Sequence, residues 1–373
     1  MTTILEHPQA QALLDQTDLN PADLRRTADH LTRFLHRYLP CFFRTEQRTH
    51  AELLLRGKFS GLDRKTTEPI ATDAGAPRRP LQHFVGAGRW DDDAVLTELH
   101  RHVRQEIGHA DAVLVLDSSA FVKKGTASCG VARPWCGRLG KLDNCQVGVF
   151  LGYAAPGGHA LVAARLYLPA ERASDRPHRI LTQVPDTVVF AEKWRLGLDL
   201  LDTAGAARPH GWLVADDEFG RSSVFREELR GRRQRYVVDV PCNTLIRDLD
   251  DPLPPSTPGG RSPRRLFERV DQWARRQPRG RWRTIRLRHG EKGPHRVRAL
   301  TARVQTKDAD GHVGGSERLV VYRERGRGAK RGYALSHVRG TEVPLRRLVE
   351  VRFERSRIEP LFGEGKSEVG LGQ

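Results

Sequence analysis

Several things are scarce in this chain of 373 residues. Cysteine occurs five times, an odd number spread over a long sequence. That excludes a scaffold built on disulfides and fits a reducing cytoplasm. No run approaches the roughly 18–20 apolar residues that a membrane span needs. Met1 to Asn20 is polar and carries acids early, so it does not read as a signal peptide. A nucleotide-binding phosphate loop is also missing. In Gly137-Arg138-Leu139-Gly140-Lys141 the glycines stand too close together and Leu142 follows the lysine, so no ATP is implied. Cys129, Cys136 and Cys145 lack the close pairs of a structural zinc site. His178 and His210 have no partners at metal or triad spacing.

Acidic residues are short relative to basic ones, 46 against 63, for a net charge of +17. Most of the excess is arginine, which grips phosphate as a two-pronged fork. A polyanion, and nucleic acid first, is the partner this implies. The charge is also concentrated. From Arg261 to Arg303 there are 15 basic residues and only Glu268, Asp271 and Glu291 against them. Such a run favours release of the counterions condensed on DNA. Hydrophobic residues make up 38% of the chain, enough for a packed core.

The length exceeds what one core usually serves. Residues 1–108 read as a helical DNA-binding domain. Leu24, Ala28, Leu31, Leu35 and Tyr38 share one helical face, Asn20-Pro21 opens that helix, and Pro40 breaks it. A second helix follows Asp91-Asp92-Asp93, with Leu96, Leu99, Val103 and Ile107 aligned. Between them lies the polar stretch from Asp63 to Glu68. Residues 109–242 read as an α/β core. Ala112 to Leu116 is an apolar run with the character of a strand buried on both faces, ending at Asp117. Val147 to Ala155 and Ala160 to Leu168 form a hairpin around Pro156-Gly157-Gly158. Phe190 to Leu201 is a helix, Trp212 to Ala215 a strand ending at Asp216, Ser222 to Arg232 a helix and Tyr236 to Val240 a strand. This order predicts a mixed sheet flanked by helices. The tract from Asp251 to Gly260 is a linker by composition. Residues 243–344 read as an Arg-rich, β-rich insertion. Residues 345–373 read as a C-terminal helical segment.

Three carboxylates carry the chemistry. Asp117 and Asp216 follow buried strands, and the crevice beyond strand C-termini is where α/β sheets place their sites. Glu359 sits in the late helical segment, four residues after Arg355 and seven before Lys366, so the three share a stripe if the helix continues past Pro360. Oxygen ligands of this kind suit Mg²⁺. Two such ions about 3.5–4 Å apart activate a water or a 3′-hydroxyl and stabilise the leaving oxygen. Lys123 and Lys124, just after the first acid, are candidate phosphate contacts. Trp282, and Trp273 beside it, are candidates for stacking on an unpaired base.

The Arg355-x3-Glu359-x6-Lys366 spacing resembles the signature of bacterial insertion-sequence transposases with a DDE site. Asp117-Ser118-Ser119-Ala120-Phe121-Val122-Lys123-Lys124-Gly125 is similar to their first-aspartate region. Val214-Ala215-Asp216-Asp217-Glu218-Phe219-Gly220 is similar to their second. Cys136 to Lys141, Asn144 to Phe150, Leu62-Asp63-Arg64-Lys65 and Leu81-Gln82-His83-Phe84 resemble one subgroup. The resemblance implies a ribonuclease H-like fold and two Mg²⁺ or Mn²⁺ ions on Asp117, Asp216 and Glu359. It implies that Arg355 and Lys366 grip DNA, that the partners are terminal inverted repeats and target DNA, and that a homodimer forms on DNA. The reaction it implies is cleavage of element ends followed by joining to target. Asp217 competes with Asp216; the family pattern favours Asp216, three before Phe219-Gly220. Arg352 stands where the extended signature has Tyr. The sequence ends at Gln373, just past Gly370-Leu371, where relatives continue. The second reading is therefore a truncated, inactive remnant that only binds DNA. A metal-free RNA-binding protein accounts for the charge but not for the acids.

Overall fold

The computed structural model describes residues 20–136, 140–252, 265–290, 293–324, 331–338 and 343–371. Most of the linker expected over 251–260, and the centre of the Cys136–Lys141 motif, lie outside the described residues. The chain divides into two compact units, Met1–Arg101 with Glu364–Gln373, and His102–Gly363.

The first unit is helical. Helix α1 (Pro21–Tyr38) starts at Asn20, whose side chain accepts from the Ala22 N–H, with Pro21 in its first turn. It ends in a 3₁₀ turn at Leu39–Cys41, where Pro40 falls. Helices α2 (Thr45–Lys58), α3 (Thr67–Asp73) and α4 (Arg78–Gly86) follow. Phe42, Ala51, Ile70, Ala71, Leu81 and Phe84 form their common core. The loop between α2 and α3 is closed by two lysines that exchange bonds: Lys58 Nζ donates to the Lys65 carbonyl at 2.7 Å, and Lys65 Nζ to the Lys58 carbonyl at 2.9 Å. Helix α5 (Asp92–Ile107) begins at the expected acidic run.

Among the described residues, the second unit is built on a sheet of eleven strands. Strand β1 (Val113–Val122) pairs antiparallel with β2 (Cys145–Ala155), and β2 with β3 (Gly158–Tyr167). On its other side β1 runs parallel to β4 (Trp212–Ala215), and β4 parallel to β5 (Tyr236–Asp239). The order β3-β2-β1-β4-β5 is the ribonuclease H-like arrangement. Strands β1 and β4 are apolar on both faces because helices cover them. Helix α6 (Lys193–Leu200) precedes β4; the short α7 (Asp217–Gly220) and α8 (Ser223–Gly231) connect β4 to β5.

The described strands between residues 245 and 336 join this same sheet. Strands β6 (Leu245–Asp248), β7 (Arg283–Gly290), β8 (Gly293–Lys307), β9 (Glu317–Glu324) and β10 (Arg331–Ser336) continue the same one, with β10 antiparallel to β5. Helix α9 (Val270–Arg276) covers part of this extension. A buried ion pair pins the extension to the central strands. Arg226 of α8, 2% exposed, places Nε 3.0 Å from Glu317 Oε1 of β9, and its Nη2 donates to Thr306 Oγ1 of β8 at 2.8 Å. Tyr236 of β5 donates to the same Glu317 oxygen at 2.7 Å.

Helix α10 (Leu345–Glu354) buries Leu348, Val349 and Val351 against the sheet. Each such side chain contributes roughly 1.5–3 kcal/mol when fully buried. A 3₁₀ turn (Arg355–Arg357) then leads into α11 (Ile358–Ser367). Pro360 falls in the first turn of α11, where its missing N–H has no partner to lose.

Replacing Arg226 with Met leaves Glu317 buried without its counter-charge. Urea unfolding should report a loss of about 3–5 kcal/mol; a loss under about 1 kcal/mol contradicts the pinning role.

Candidate active site

Strand β4 stops while β1 runs on, and this creates the site. The last registered parallel pair is Leu116 with Ala215. Asp117 and Asp216 are the next residues on neighbouring strands, which lie about 4.8 Å apart in a sheet. Asp117 therefore sits inside β1, not after it as the apolar run suggested, because β1 keeps pairing with β2 as far as Val122 with Cys145. Asp216 does follow its strand directly. It caps α7, accepting from the Glu218 N–H at 3.0 Å. Gly220 closes that turn against β5; a Cβ there would lie 1.9 Å from the Asp239 carbonyl oxygen. With Phe219 fully buried, the Phe-Gly pair is a packing device that fixes where Asp216 points.

Both aspartates are held out of water. Burial pushes Asp117 above the usual carboxylate range; Arg355 and the Ser118 N–H oppose this, and Glu218 and Glu359 add to it. Asp216 is pushed up to about 7, first by burial and then by the charge of Asp117. The positive charge comes from the C-terminal segment. Arg355 Nη1 lies 2.8 Å from Asp117 Oδ2, and Arg355 Nε lies 3.8 Å from Asp239 Oδ2. Arg352 forks onto Asp239, with Nη2 at 2.6 Å from Oδ2 and Nε at 3.1 Å from Oδ1. Its guanidinium also lies 4.5 Å from the centre of the Tyr322 ring, and Tyr322 donates to Asp239 Oδ1 at 3.1 Å. Arg352, in the signature's tyrosine position, thus anchors α10 to β5, with Tyr322 of β9 beside it.

Sequence reasoning missed three members of this cluster. Asp239 ends a buried strand, the same signal that marked Asp117 and Asp216, and was readable. Glu218 and Lys193 were not, because they meet only through the fold. Lys193 Nζ lies 2.5 Å from Glu218 Oε1, and Ser118 Oγ donates to Glu218 Oε2 at 2.7 Å.

Of the remaining expected site residues, Glu359 is exposed at the start of α11 and acts electrostatically on Asp117. Lys366 lies in the last turn of α11, among the residues grouped with the helical unit. Lys123 is half-buried and Lys124 exposed at the end of β1. Trp282 is half-buried, with the guanidiniums of Arg298 and Arg331 at 5.8 and 5.6 Å from its ring centre. Trp273 is fully buried and its indole N–H donates to Asp248 Oδ2 at 3.0 Å.

Five carboxylates (Asp117, Asp216, Glu218, Asp239, Glu359) and three cations (Lys193, Arg352, Arg355) interact here. This oxygen-only, acid-rich set fits the chemistry of a hard divalent ion. Among the described residues, though, no three of the His, Cys, Asp and Glu side chains converge tightly enough to hold a metal. On Asp117, Arg355 holds the place of a positive partner.

The ribonuclease H-like sheet thus sets Asp117, inside β1, beside Asp216, directly after β4, on adjoining strands. Residues 37–294, more than half of the chain, match the family described as DDE superfamily endonuclease, and the chain belongs to that family. The match takes in Asp117 and Asp216 and stops before Glu359. A curated relative, "Probable transposase for insertion sequence element IS701" from Microchaete diplosiphon, is 32% identical over 122 residues. The match covers 31% of this chain and 31% of the relative, so the chain spans about a third of that protein's length. Both findings agree with the motif resemblance. Among the described residues no helix is long and apolar enough to cross a membrane.

The raised Asp216 has a direct consequence for stability. Below an unfolded carboxyl's pKa of about 3.9 both states are protonated and there is no penalty. Stability falls as pH rises from there, and the full penalty is present above about 7. In chelator, Asp216→Asn should raise the melting temperature by about 3 °C or more at pH 8 and by clearly less at pH 5. An equal gain at both pH values contradicts the assignment.

Proposed function

We propose that this protein is a DDE transposase, which cleaves insertion-sequence ends and joins them to target DNA by phosphoryl transfer. The observation that carries the proposal is the placement of Asp117 and Asp216 one residue beyond the last parallel pair, both raised by burial and one by the other. The family and the transposase name of the partial relative support it.

In this reading Asp117, Asp216 and Glu359 hold Mg²⁺ or Mn²⁺, two ions in the full site. When bound, these ions lower the pKa of an attacking water or 3′-hydroxyl and neutralise the leaving oxygen. The chain's own residues do the rest. Asp216, near half-protonated at neutral pH, must lose its proton to act as a ligand, so cation affinity rises with pH through about 7. Glu218, fixed by Lys193 and Ser118, keeps the floor of the crevice negative and orders the turn that carries Asp216. Arg355 balances Asp117 in the metal-free protein, and its fork suits a DNA phosphate once Asp117 is otherwise neutralised. Lys366, Lys123 and Lys124 are further phosphate contacts in this reading, and Trp282 is a platform beside the strand. Two element ends brought together imply a homodimer on DNA.

The test is cleavage of a duplex carrying the element's ends. Nicking is expected with Mn²⁺ or Mg²⁺ and not in chelator. Asp117→Ala and Glu359→Gln should each bring it to background. Glu218→Gln should slow it by about 10–100-fold, as loss of a residue orienting a metal ligand does. Full activity in Asp117→Ala, or nicking that persists in chelator, rules the proposal out.

A further inference from the structure

Asp239 is not among the acids proposed to hold the cation, yet it stands in line with two of them. Leu116 is registered with Ala215, and Ala215 with Val238. The next residue on each of β1, β4 and β5 is an aspartate: Asp117, Asp216 and Asp239. Neighbouring strands lie about 4.8 Å apart, which puts the Asp117 and Asp239 backbones roughly 10 Å from each other. Arg355 bridges that span. Its Nη1 lies 2.8 Å from Asp117 Oδ2 and its Nε 3.8 Å from Asp239 Oδ2. The first contact is a hydrogen bond and the second is too long to be one.

The acceptor count on Asp239 leaves room for Arg355. An ionised carboxylate offers about four lone-pair sites. Oδ1 accepts from Arg352 Nε and from the Tyr322 hydroxyl, both at 3.1 Å, and Oδ2 accepts from Arg352 Nη2 at 2.6 Å. Among the described residues Oδ2 accepts no other hydrogen bond. The open site is therefore on the oxygen that Arg355 faces. Arg352 and Tyr322 already hold Asp239 in place, so anchoring α10 does not require Arg355.

We propose that Asp239 is the receiving site for Arg355: when a divalent cation engages Asp117, the guanidinium passes from Asp117 to the open lone pair of Asp239 Oδ2. Asp239 thereby sets how tightly the crevice binds its cation. It is a positioning residue that acts through Arg355. A ligand role suits it poorly, because the Arg352 fork occupies both of its oxygens. The inference rests on the cation site of the proposed function and adds to it a residue outside the three acids.

Charge and reach both favour the transfer. A guanidinium and a divalent cation compete for Asp117, and a displaced guanidinium left unpaired beside the cation would oppose it. On Asp239 its charge is offset and its N–H group is bonded. The gap has only to close from 3.8 Å to about 2.9 Å, which rotation about side-chain bonds supplies. The backbone before Arg355 stays fixed, since α10 buries Leu348, Val349 and Val351. Without Asp239, Arg355 has Asp117 as its one carboxylate partner and holds it against the cation.

The experiment measures Mn²⁺ affinity calorimetrically, without DNA, for the full chain. Wild type is compared with Asp239→Asn, Arg355→Gln and the double variant, with melting temperatures taken in chelator. Asp239→Asn is expected to weaken Mn²⁺ binding about 10-fold, the lower end of the range for residues that orient metal ligands. Arg355→Gln should tighten it. In the Arg355→Gln background, Asp239→Asn should change affinity by less than about 2-fold, because the two residues act as a pair. Equal weakening in both backgrounds would make Asp239 a ligand, and unchanged affinity with a lowered melting temperature would make it an anchor alone; either overturns the inference. If Asp239→Asn does not fold, a Mn²⁺-soaked crystal of the wild type decides. Arg355 Nε is expected within hydrogen-bond distance of Asp239 Oδ2; Arg355 turned to solvent, or still on Asp117, overturns it. Asp117→Ala scores the proposed function separately. Affinity unaltered in Asp117→Ala sinks the cation site and this inference with it. Affinity lost in Asp117→Ala but untouched by Asp239→Asn sinks the receiving site alone.

Discussion

Arg355 joins two aspartates on two different strands, reaching Asp117 at 2.8 Å and Asp239 at 3.8 Å. Carboxylates taken out of water need a positive partner, and the one Asp117 has comes from 238 residues further along the chain. The C-terminal segment is thus tied to the sheet by charge as well as by the buried face of α10. Arg352 repeats the arrangement one turn earlier, forking onto Asp239 with the Tyr322 ring under its guanidinium. The sheet extension therefore supports the site: β9 supplies Tyr322, and Glu317 of the same strand is locked to Arg226 and Tyr236.

The same constraint sets a local charge opposite to that of the whole molecule. The chain carries +17, yet its strand-end crevice gathers more carboxylates than cations. A protein that gathers such a set has a use for positive charge there beyond its own arginines. In the proposed reading, DNA phosphates brought by the basic exterior make the need greater, since like charges meet at the scissile bond. Divalent ions would answer both requirements of that reading at once.

Much of this was legible in the sequence because strands buried on both faces announce themselves. The runs ending in Leu116 and Ala215 gave the strands and, with them, both aspartates. What was missed depends on pairing. Asp117 lies inside β1 because β2 outlasts β4 beside it, and an apolar run cannot show how long a neighbour is. The strands after residue 243 were legible as a β-rich segment, but no local pattern says that they join the edge of an existing sheet. Helices α3 and α4 lie in a stretch given no helix in the sequence reading, and that stretch holds Pro69, Gly75 and Pro80. Each proline sits in a first turn, where it costs nothing, and the glycine makes the turn between them. Lys193 with Glu218 and Arg352 with Asp239 are partners 25 and 113 residues apart. Only the fold brings them together.

In the proposed function the crevice between Asp117 and Asp216 is a cation site whose charge Arg355 partly balances in the metal-free protein. The most direct measurement is a crystal structure of the full chain soaked in Mn²⁺, with anomalous scattering collected to locate manganese. An anomalous peak is expected within bonding distance of both aspartates, with Arg355 withdrawn from Asp117. An empty crevice at saturating Mn²⁺, with the Arg355–Asp117 pair intact, would contradict it.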